Sequence, residues 1–152
     1  MKKTKTIKKP NWFLYFLIGP FIILWYKLHI RYRKNKVKIK KKSLIIAPHR
    51  SYFDFLTVPI SVYPRRVHCV ATTFWFRNKK LAWLLNVMGC IPKNQFKADL
   101  RSVISMGEVL KKNESILMFP EGQMSADGRS VILVPGIEKL ILKFKPNVYF
   151  VD

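Results

Sequence analysis

Two short apolar runs, each stopped by a proline, constrain the fold of this chain more than any other feature. Residues 44–47 run into Pro48, and residues 115–119 run into Pro120 about seventy positions later. Apolar runs of this length that end at a proline are typical of buried strands that lead into loops. Segments of helical length and spacing lie between and after them. This alternation predicts an α/β fold in which a single sheet is covered by helices.

The remaining elements follow from the spacing of apolar residues and from capping residues. The predictions are strands at 66–71 and 148–151, and helices at 73–88, 99–113 and 135–145. Gly89 stands where the first of these helices needs a C-cap, and Asp99 stands at the start of the second. The sequence stops directly after the last predicted strand with nothing to cover it, as expected of a shortened form.

A histidine and a carboxylate, separated by four residues, follow the first apolar run. His49 is placed at the carboxyl end of a strand, where α/β sheets commonly carry their chemistry. Five positions on a continuous helix turn through roughly 500°, so His49 can meet Asp54 only if it precedes the helix. The pattern Ser51-x-x-Asp54 resembles a capping box with Ser51 as N-cap, which favours this geometry. Asp54 would then fix the imidazole tautomer and leave the second nitrogen free to take a proton from a hydroxyl.

The spacing alone favours a solvated loop histidine beside a carboxylate that interacts with the helix dipole, because His-x-x-x-x-Asp occurs often by chance. The second apolar run changes this balance, because Glu121 and Gly122 follow it directly. An anion is unusual in a plain turn, and a glycine lets the backbone approach a ligand closely. If the two strands are neighbours, His49, Asp54, Glu121 and Gly122 all reach one rim of the sheet.

These stretches together resemble the glycerolipid acyltransferases typified by 1-acylglycerol-3-phosphate acyltransferase. The first block of that family, His-x-x-x-x-Asp, is matched by His49 and Asp54, and the third block, Phe-Pro-Glu-Gly, by residues 119–122. The second block is similar to residues 89–93, with Lys93 where arginine is usual. After the third block the family usually has Thr-Arg-Ser, whereas residues 123–125 are Gln-Met-Ser. The resemblance covers about residues 40–150.

The resemblance implies an enzyme of phospholipid synthesis. Its donor would be a fatty acyl thioester on coenzyme A or acyl carrier protein, and its acceptor the hydroxyl of a lysophosphatidate-like lipid. His49 would be the general base and Asp54 the carboxylate that orients it. The resemblance implies neither a bound cofactor nor a metal, and the three histidines of the chain are scattered along it.

The resemblance also implies a set of substrate-binding residues, namely Ser51, Lys93, Glu121, Gly122 and Arg129. Ser51 stands at a position that the family often fills with serine. Glu121 and Gly122 would position the glycerol part of the acceptor. Lys93 would meet the substrate phosphate, with Arg129 in place of the missing motif arginine. Acceptors such as glycerol 3-phosphate or a lysolipid without phosphate remain open.

Charge is concentrated at the start of the chain. The net charge is +21, and residues 1–42 hold 14 of the 29 basic residues and no acidic one. Such asymmetry indicates an anionic partner, either nucleic acid or an anionic membrane surface. Residues 12–26 form a nearly uninterrupted apolar stretch with aromatic residues near both ends, which favours lipid over nucleic acid. The predicted division is therefore a membrane-anchoring segment at 1–42 and an acyltransferase domain at 43–152.

The apolar stretch is too short to span a bilayer. Fifteen residues as helix reach roughly 22 Å, against about 30 Å of hydrocarbon, and Gly19-Pro20 lies in the middle. The prediction is a kinked helix or helical hairpin that dips into the cytoplasmic leaflet, because bases flank both ends. A spanning helix extended to Ile30 is the alternative. A different class of protein also remains open, a non-catalytic membrane-surface or nucleic-acid binding protein with an acyltransferase-like fold.

Two cysteines, Cys69 and Cys90, lie in apolar stretches without metal-site spacing. This pattern indicates buried free thiols in a reducing compartment.

Overall fold

The computed structural model describes residues 7–29, 38–49, 51, 54–95, 99–121 and 137–151 of the chain. The helices are α1 (Trp12–His29), α2 (Asp54–Ser61), α3 (Lys79–Val87), α4 (Leu100–Lys111) and α5 (Ile137–Phe144), with a 3₁₀ helix at Thr73–Arg77. The strands are β1 (Ser43–Ile46), β2 (Val67–Thr72), β3 (Ile91–Lys93), β4 (Ser115–Met118) and β5 (Asn147–Phe150).

The five strands form one sheet in the order β3-β2-β4-β1-β5, and all their pairings are parallel. In the centre of the sheet, Ile45 of β1 lies beside Leu117 of β4 and Tyr149 of β5. Because the strands are parallel, their carboxyl ends share one edge, the carboxyl edge, and their starts share the amino edge. The predicted α/β fold with a single helix-covered sheet is confirmed.

The two faces of the sheet build two core layers, because successive side chains of a strand point to opposite faces. Leu44 and Ile116 pack with α4 and α5 on one face. Ile45 and Leu117 pack with α2 on the other. All four side chains are fully buried, as expected of central strands in a parallel sheet covered on both sides.

The predicted helix at 73–88 is wrong in one respect, because the structure divides it into the 3₁₀ helix and α3. Asn78 separates the two segments. Its side-chain oxygen accepts hydrogen bonds from the backbone N–H groups of Lys80 at 3.0 Å and Leu81 at 3.2 Å. An asparagine that caps in this way starts a new helix. Gly89 follows α3 with φ of +67°, so the predicted C-cap is confirmed.

The apolar N-terminal stretch forms the single helix α1, which runs through Gly19 and Pro20. The helical hairpin considered from the sequence is therefore wrong. The turn that precedes Pro20 packs on Tyr63: the ring of Tyr15 stacks on it at 5.9 Å, and a Cβ at Gly19 would lie 2.8 Å from it. None of the helices in the described ranges has the length and apolar character needed to cross a bilayer.

The segment before α1 is attached to the amino edge. The backbone N–H of Asn11 donates to the carbonyl of Val87 at 3.0 Å, and the Arg66 guanidinium donates to the carbonyl of Pro10 at 2.8 Å. The ammonium of Lys9 lies 3.3 Å from a carboxylate oxygen of Glu114. These contacts fix where α1 leaves the sheet domain.

Glu114 also contacts a buried histidine at the same edge. His68 is only 1% exposed, and its Nε2 lies 2.6 Å from the Glu114 carboxylate. Its Nδ1 lies 2.8 Å from the carbonyl oxygen of Gly89. Nδ1 donates its proton to the Gly89 carbonyl oxygen, and Nε2 shares one proton with the Glu114 carboxyl group. His68 and Glu114 thus form one hydrogen-bonded unit, in which the histidine is buried and the carboxylate is partly buried.

Candidate active site

The two motifs predicted from the sequence meet at the carboxyl edge, because β1 and β4 are neighbours in the sheet. The pairing continues past the strands, where the N–H of Ala47 donates to the carbonyl of Met118 at 3.3 Å. Two residues further on, the backbone N–H of His49 donates to the Glu121 carboxylate at 2.9 Å. A direct hydrogen bond therefore joins the loop after β1 to the loop after β4.

Asp54 contacts the imidazole of His49. Its Oδ2 lies 3.2 Å from Nδ1 of His49 and accepts a hydrogen bond from the Ser51 N–H at 2.7 Å. Asp54 stands in the first turn of α2, as the sequence pattern requires. The bond from the Ser51 N–H is the carboxylate half of a capping box.

This geometry assigns the tautomer of His49. A carboxylate facing Nδ1 accepts a hydrogen bond, so Nδ1 carries the proton of the neutral ring and Nε2 keeps its lone pair. No hydrogen-bond partner of Nε2 is found among the residues that the structure describes. The side chain of His49 is 24% exposed, so a ligand at the carboxyl edge can reach it.

The ring of Phe119 is a further part of the site, with a role that the sequence did not indicate. It stacks on the His49 imidazole with 4.6 Å between ring centroids and 25° between planes. Phe119 follows β4 directly and also packs against the core layer of α2. The position of Phe119 in the Phe-Pro-Glu-Gly block was the available sequence signal. Its stacking on His49 could not be predicted, because it depends on the pairing of β1 with β4.

Lys93 lies at the same edge but at a distance from His49. It ends β3, and three strand spacings separate β3 from β1, which is about 14 Å. Its ammonium donates to the carbonyl of Asn94 at 3.3 Å. Burial lowers the pKa of Lys93, and the nearby carboxylate of Asp99 partly opposes this effect. Gly122 and Arg129 lie outside the described residues.

A cleft of about 370 Å³ lies at the carboxyl edge beside Lys93. It is lined by Thr72, Thr73, Phe74, Arg77, Asn94 and Gln95. The hydroxyl of Thr73 donates to the side-chain oxygen of Asn94 at 3.0 Å, which joins the end of β2 to the end of β3. None of these residues is among the predicted site residues, although each lies at or directly after the end of β2 or β3, where α/β sheets commonly carry their chemistry.

Neither cysteine suits nucleophilic chemistry. Both are free thiols, and Cys90 is buried. Burial raises the pKa of Cys90 to about 12 and that of Cys69 well above its usual value. Because the thiolate is the reactive form, the free thiols predicted from the sequence are inert groups.

Residues 29–151 match the family model described as Acyltransferase, which covers most of the chain. The chain belongs to this acyltransferase family. The membership confirms the family predicted from the two motifs.

Three relatives are similar to this acyltransferase domain. Each is named a 1-acyl-sn-glycerol-3-phosphate acyltransferase. The protein of Streptococcus pneumoniae is 25% identical over 78% of this chain and 47% of its own length. The chloroplastic protein LPAT1 of Arabidopsis thaliana is 28% identical over 69% of this chain and 30% of its own. The protein of Bacillus subtilis is 22% identical over 63% and 48% respectively.

The chain thus spans about half the length of the two bacterial relatives and less of the plant one. No protein of known structure matches it.

Proposed function

We propose that this domain transfers a fatty acyl group from a thioester to the free hydroxyl of lysophosphatidic acid. The observation that carries the proposal is the contact of His49 with Asp54, beside Glu121, at the carboxyl edge. The names of the three relatives support this acceptor. The proposed donor is acyl coenzyme A or acyl carrier protein, and the proposed site is the cytoplasmic face of an anionic membrane.

In the proposed reaction His49 first accepts a proton and then donates the same proton. Nε2 takes the proton of the acceptor hydroxyl while the hydroxyl oxygen attacks the thioester carbonyl. The tetrahedral intermediate then collapses, the carbon–sulfur bond breaks, and the imidazolium returns the proton to the leaving thiolate. The products are an ester and a free thiol. Asp54 stabilises the imidazolium between the two steps and keeps the ring in the required tautomer.

Positioning of His49 is shared by three contacts in this proposal. Asp54 holds Nδ1, Phe119 holds the ring plane, and Glu121 holds the backbone N–H. Glu121 thereby gains a role through His49, in addition to the acceptor contact expected of it and of Gly122. Ser51 contributes through its backbone N–H, which helps to fix the Asp54 carboxylate.

Substitution of Glu121 separates these two roles. Glu121→Ala removes the acceptor for the His49 N–H, and we expect kcat to fall by about 10²-fold, the typical cost of a misplaced reacting group. Glu121→Gln keeps a side-chain oxygen for that hydrogen bond and should lose less than about tenfold. Steady-state kinetics at varied acceptor concentration measures kcat and KM for each variant. If Glu121 acts chiefly on the acceptor, both variants instead raise KM and leave kcat close to wild type.

Phosphate recognition is proposed for Lys93 and Arg129. Lys93 stands beside the cleft at the carboxyl edge, three strands from β1, so its side chain must extend along the edge towards His49 to meet the phosphate of the acceptor. The experiment that tests the proposed function is acyl transfer by the full chain, from both thioester donors, to a panel of acceptors. We expect lysophosphatidic acid to exceed a monoacylglycerol by about tenfold or more in kcat/KM, because only the former offers a phosphate.

Equal rates with and without phosphate on the acceptor would contradict the phosphate assignment. Absence of transfer to every acceptor from either donor would contradict the enzyme, and would favour a non-catalytic membrane-surface protein with this fold.

Membrane association is proposed through α1. Its exposed side chains include Trp12, Phe13, Phe21 and Leu28, so apolar surface faces outward along its length. The basic residues at 2–9 and 31–42 would hold anionic headgroups, at roughly 1 kcal/mol for each base near the surface. A helix of this kind keeps the domain at the bilayer in which the substrate resides.

A further inference from the structure

A second exposed aromatic surface lies outside α1, on the 3₁₀ helix and α3. None of the residues in these two elements is buried. Phe74 is 57% exposed, Trp75 48% and Trp83 65%. Large aromatic side chains normally enter the core, and several of them exposed on adjacent elements indicate a binding surface. We call this the aromatic–basic surface; its members are Phe74, Trp75, Arg77, Lys79, Lys80 and Trp83.

The charge of this part of the chain restricts the chemistry of its partner. Residues 55–98 contain no aspartate or glutamate. Arg77, Lys79 and Lys80 are exposed, and the Arg77 guanidinium lies 5.7 Å from the centroid of the Phe74 ring. Tryptophan next to lysine and arginine is the composition found at the headgroup level of membranes. The surface therefore suits an apolar layer covered by anionic groups.

The position of the surface relates it to the active site. The 3₁₀ helix follows β2 directly, so it lies at the carboxyl edge that carries His49 and Glu121. Phe74 and Arg77 line the cleft at this edge. At its other end α3 meets the start of α1 through the bond from Asn11 to Val87, beside the exposed Trp12. The aromatic–basic surface thus connects the proposed anchor with the catalytic edge.

We propose that the aromatic–basic surface is a second lipid contact, which inserts its aromatic rings at the headgroup level of an anionic bilayer. The contact holds the carboxyl edge against the membrane, whereas the start of α1 is attached at the opposite, amino edge. Lipid binding by this surface does not require the proposed acyl transfer. The role of this contact in presenting the carboxyl edge to a lipid acceptor rests on the proposed function.

Tryptophan fluorescence in the full chain tests the insertion directly. The chain has four tryptophans, at positions 12, 25, 75 and 83, so the variant Trp12→Phe/Trp25→Phe keeps only the two in the surface. Vesicles containing phosphatidylglycerol and lipids brominated near the headgroup should quench this emission by about half. Absence of quenching, while the variant still sediments with the vesicles, would overturn the proposal.

Charge reversal provides a second test with a matched control. Lys79→Glu/Lys80→Glu should lower the partition coefficient on phosphatidylglycerol vesicles by at least about tenfold. Lys139→Glu/Lys143→Glu changes the net charge equally on exposed positions of α5 and should lower it less than threefold. Equal losses in the two variants would mean a general charge effect and would overturn the proposal.

The same variants separate this proposal from the proposed function and from a protein partner. Quenching and selective partitioning in a chain that transfers no acyl group would leave the lipid contact standing and refute the enzyme. An acidic carrier protein is the competing occupant. Two results together would assign the surface to that protein and overturn the lipid contact. The tryptophans would be unquenched, and Lys79→Glu/Lys80→Glu would lose transfer from a carrier-protein thioester but keep transfer from acyl coenzyme A.

Discussion

His49→Ala is expected to lower acyl transfer by at least about 10³-fold, within the range attributed to general acid–base catalysis. In the proposed reaction, this variant leaves the acceptor hydroxyl without a base and the leaving thiolate without an acid. The fold should persist, because the imidazole is partly exposed and the backbone bond from residue 49 to Glu121 does not need the side chain. Single-turnover rates with saturating donor and acceptor measure the effect.

The control for this variant is binding to vesicles, which should equal that of the wild type. Loss of both binding and transfer would point to unfolding. His49→Gln, of similar size, should be as inactive as the alanine variant because an amide does not accept a proton at neutral pH. A residual rate within tenfold of wild type in either variant would exclude His49 as the base.

Glu114→Ala is expected to lower the free energy of unfolding by about 2–3 kcal/mol, towards the upper end of the cost of leaving a buried polar group without its partner. The change leaves the buried His68 ring facing only the Gly89 carbonyl. It also removes the partner of Lys9 and so weakens the attachment of the segment before α1. Urea unfolding followed by circular dichroism gives the free energy.

Glu114→Gln and Lys9→Ala serve as controls. The glutamine amide can donate to Nε2 of a neutral His68 whose Nδ1 donates to Gly89, so this variant should lose only about 1 kcal/mol. Lys9 is mostly exposed, and its loss should cost less than about 1 kcal/mol. Similar small losses in all three variants would show that the His68–Glu114 contact contributes little to stability.

The contact of Asp54 with His49 could be predicted because it depends on a short-range pattern. A proline after each apolar run marked the strand ends, and the capping box at Ser51 placed Asp54 within reach of His49. The bond from the His49 N–H to Glu121 could not be predicted, because it depends on the register between β1 and β4. The stacking of the Phe119 ring on His49 depends on the same register and could not be predicted either.

The order of the strands and the exact bounds of the elements were harder to predict from the sequence. Strand β3 was missed because it has only three residues and includes Pro92. The order β3-β2-β4-β1-β5 places Lys93 three strands from His49, and no local pattern contains that order. The break at Asn78 was missed because the apolar spacing continues across it. The α1 hairpin was wrong because packing on Tyr63 favours one helix despite Pro20.

The most direct test of the account is kcat of Asp54→Asn at saturating acceptor. An asparagine keeps the size of the side chain but lacks the carboxylate that accepts from Nδ1 and stabilises the imidazolium, a change that costs about 10⁴ in a protease triad. We predict a loss of about 10³- to 10⁴-fold in kcat, with KM and vesicle binding close to wild type. A kcat within tenfold of wild type would contradict the assignment of His49 and Asp54 as the proton-transfer pair.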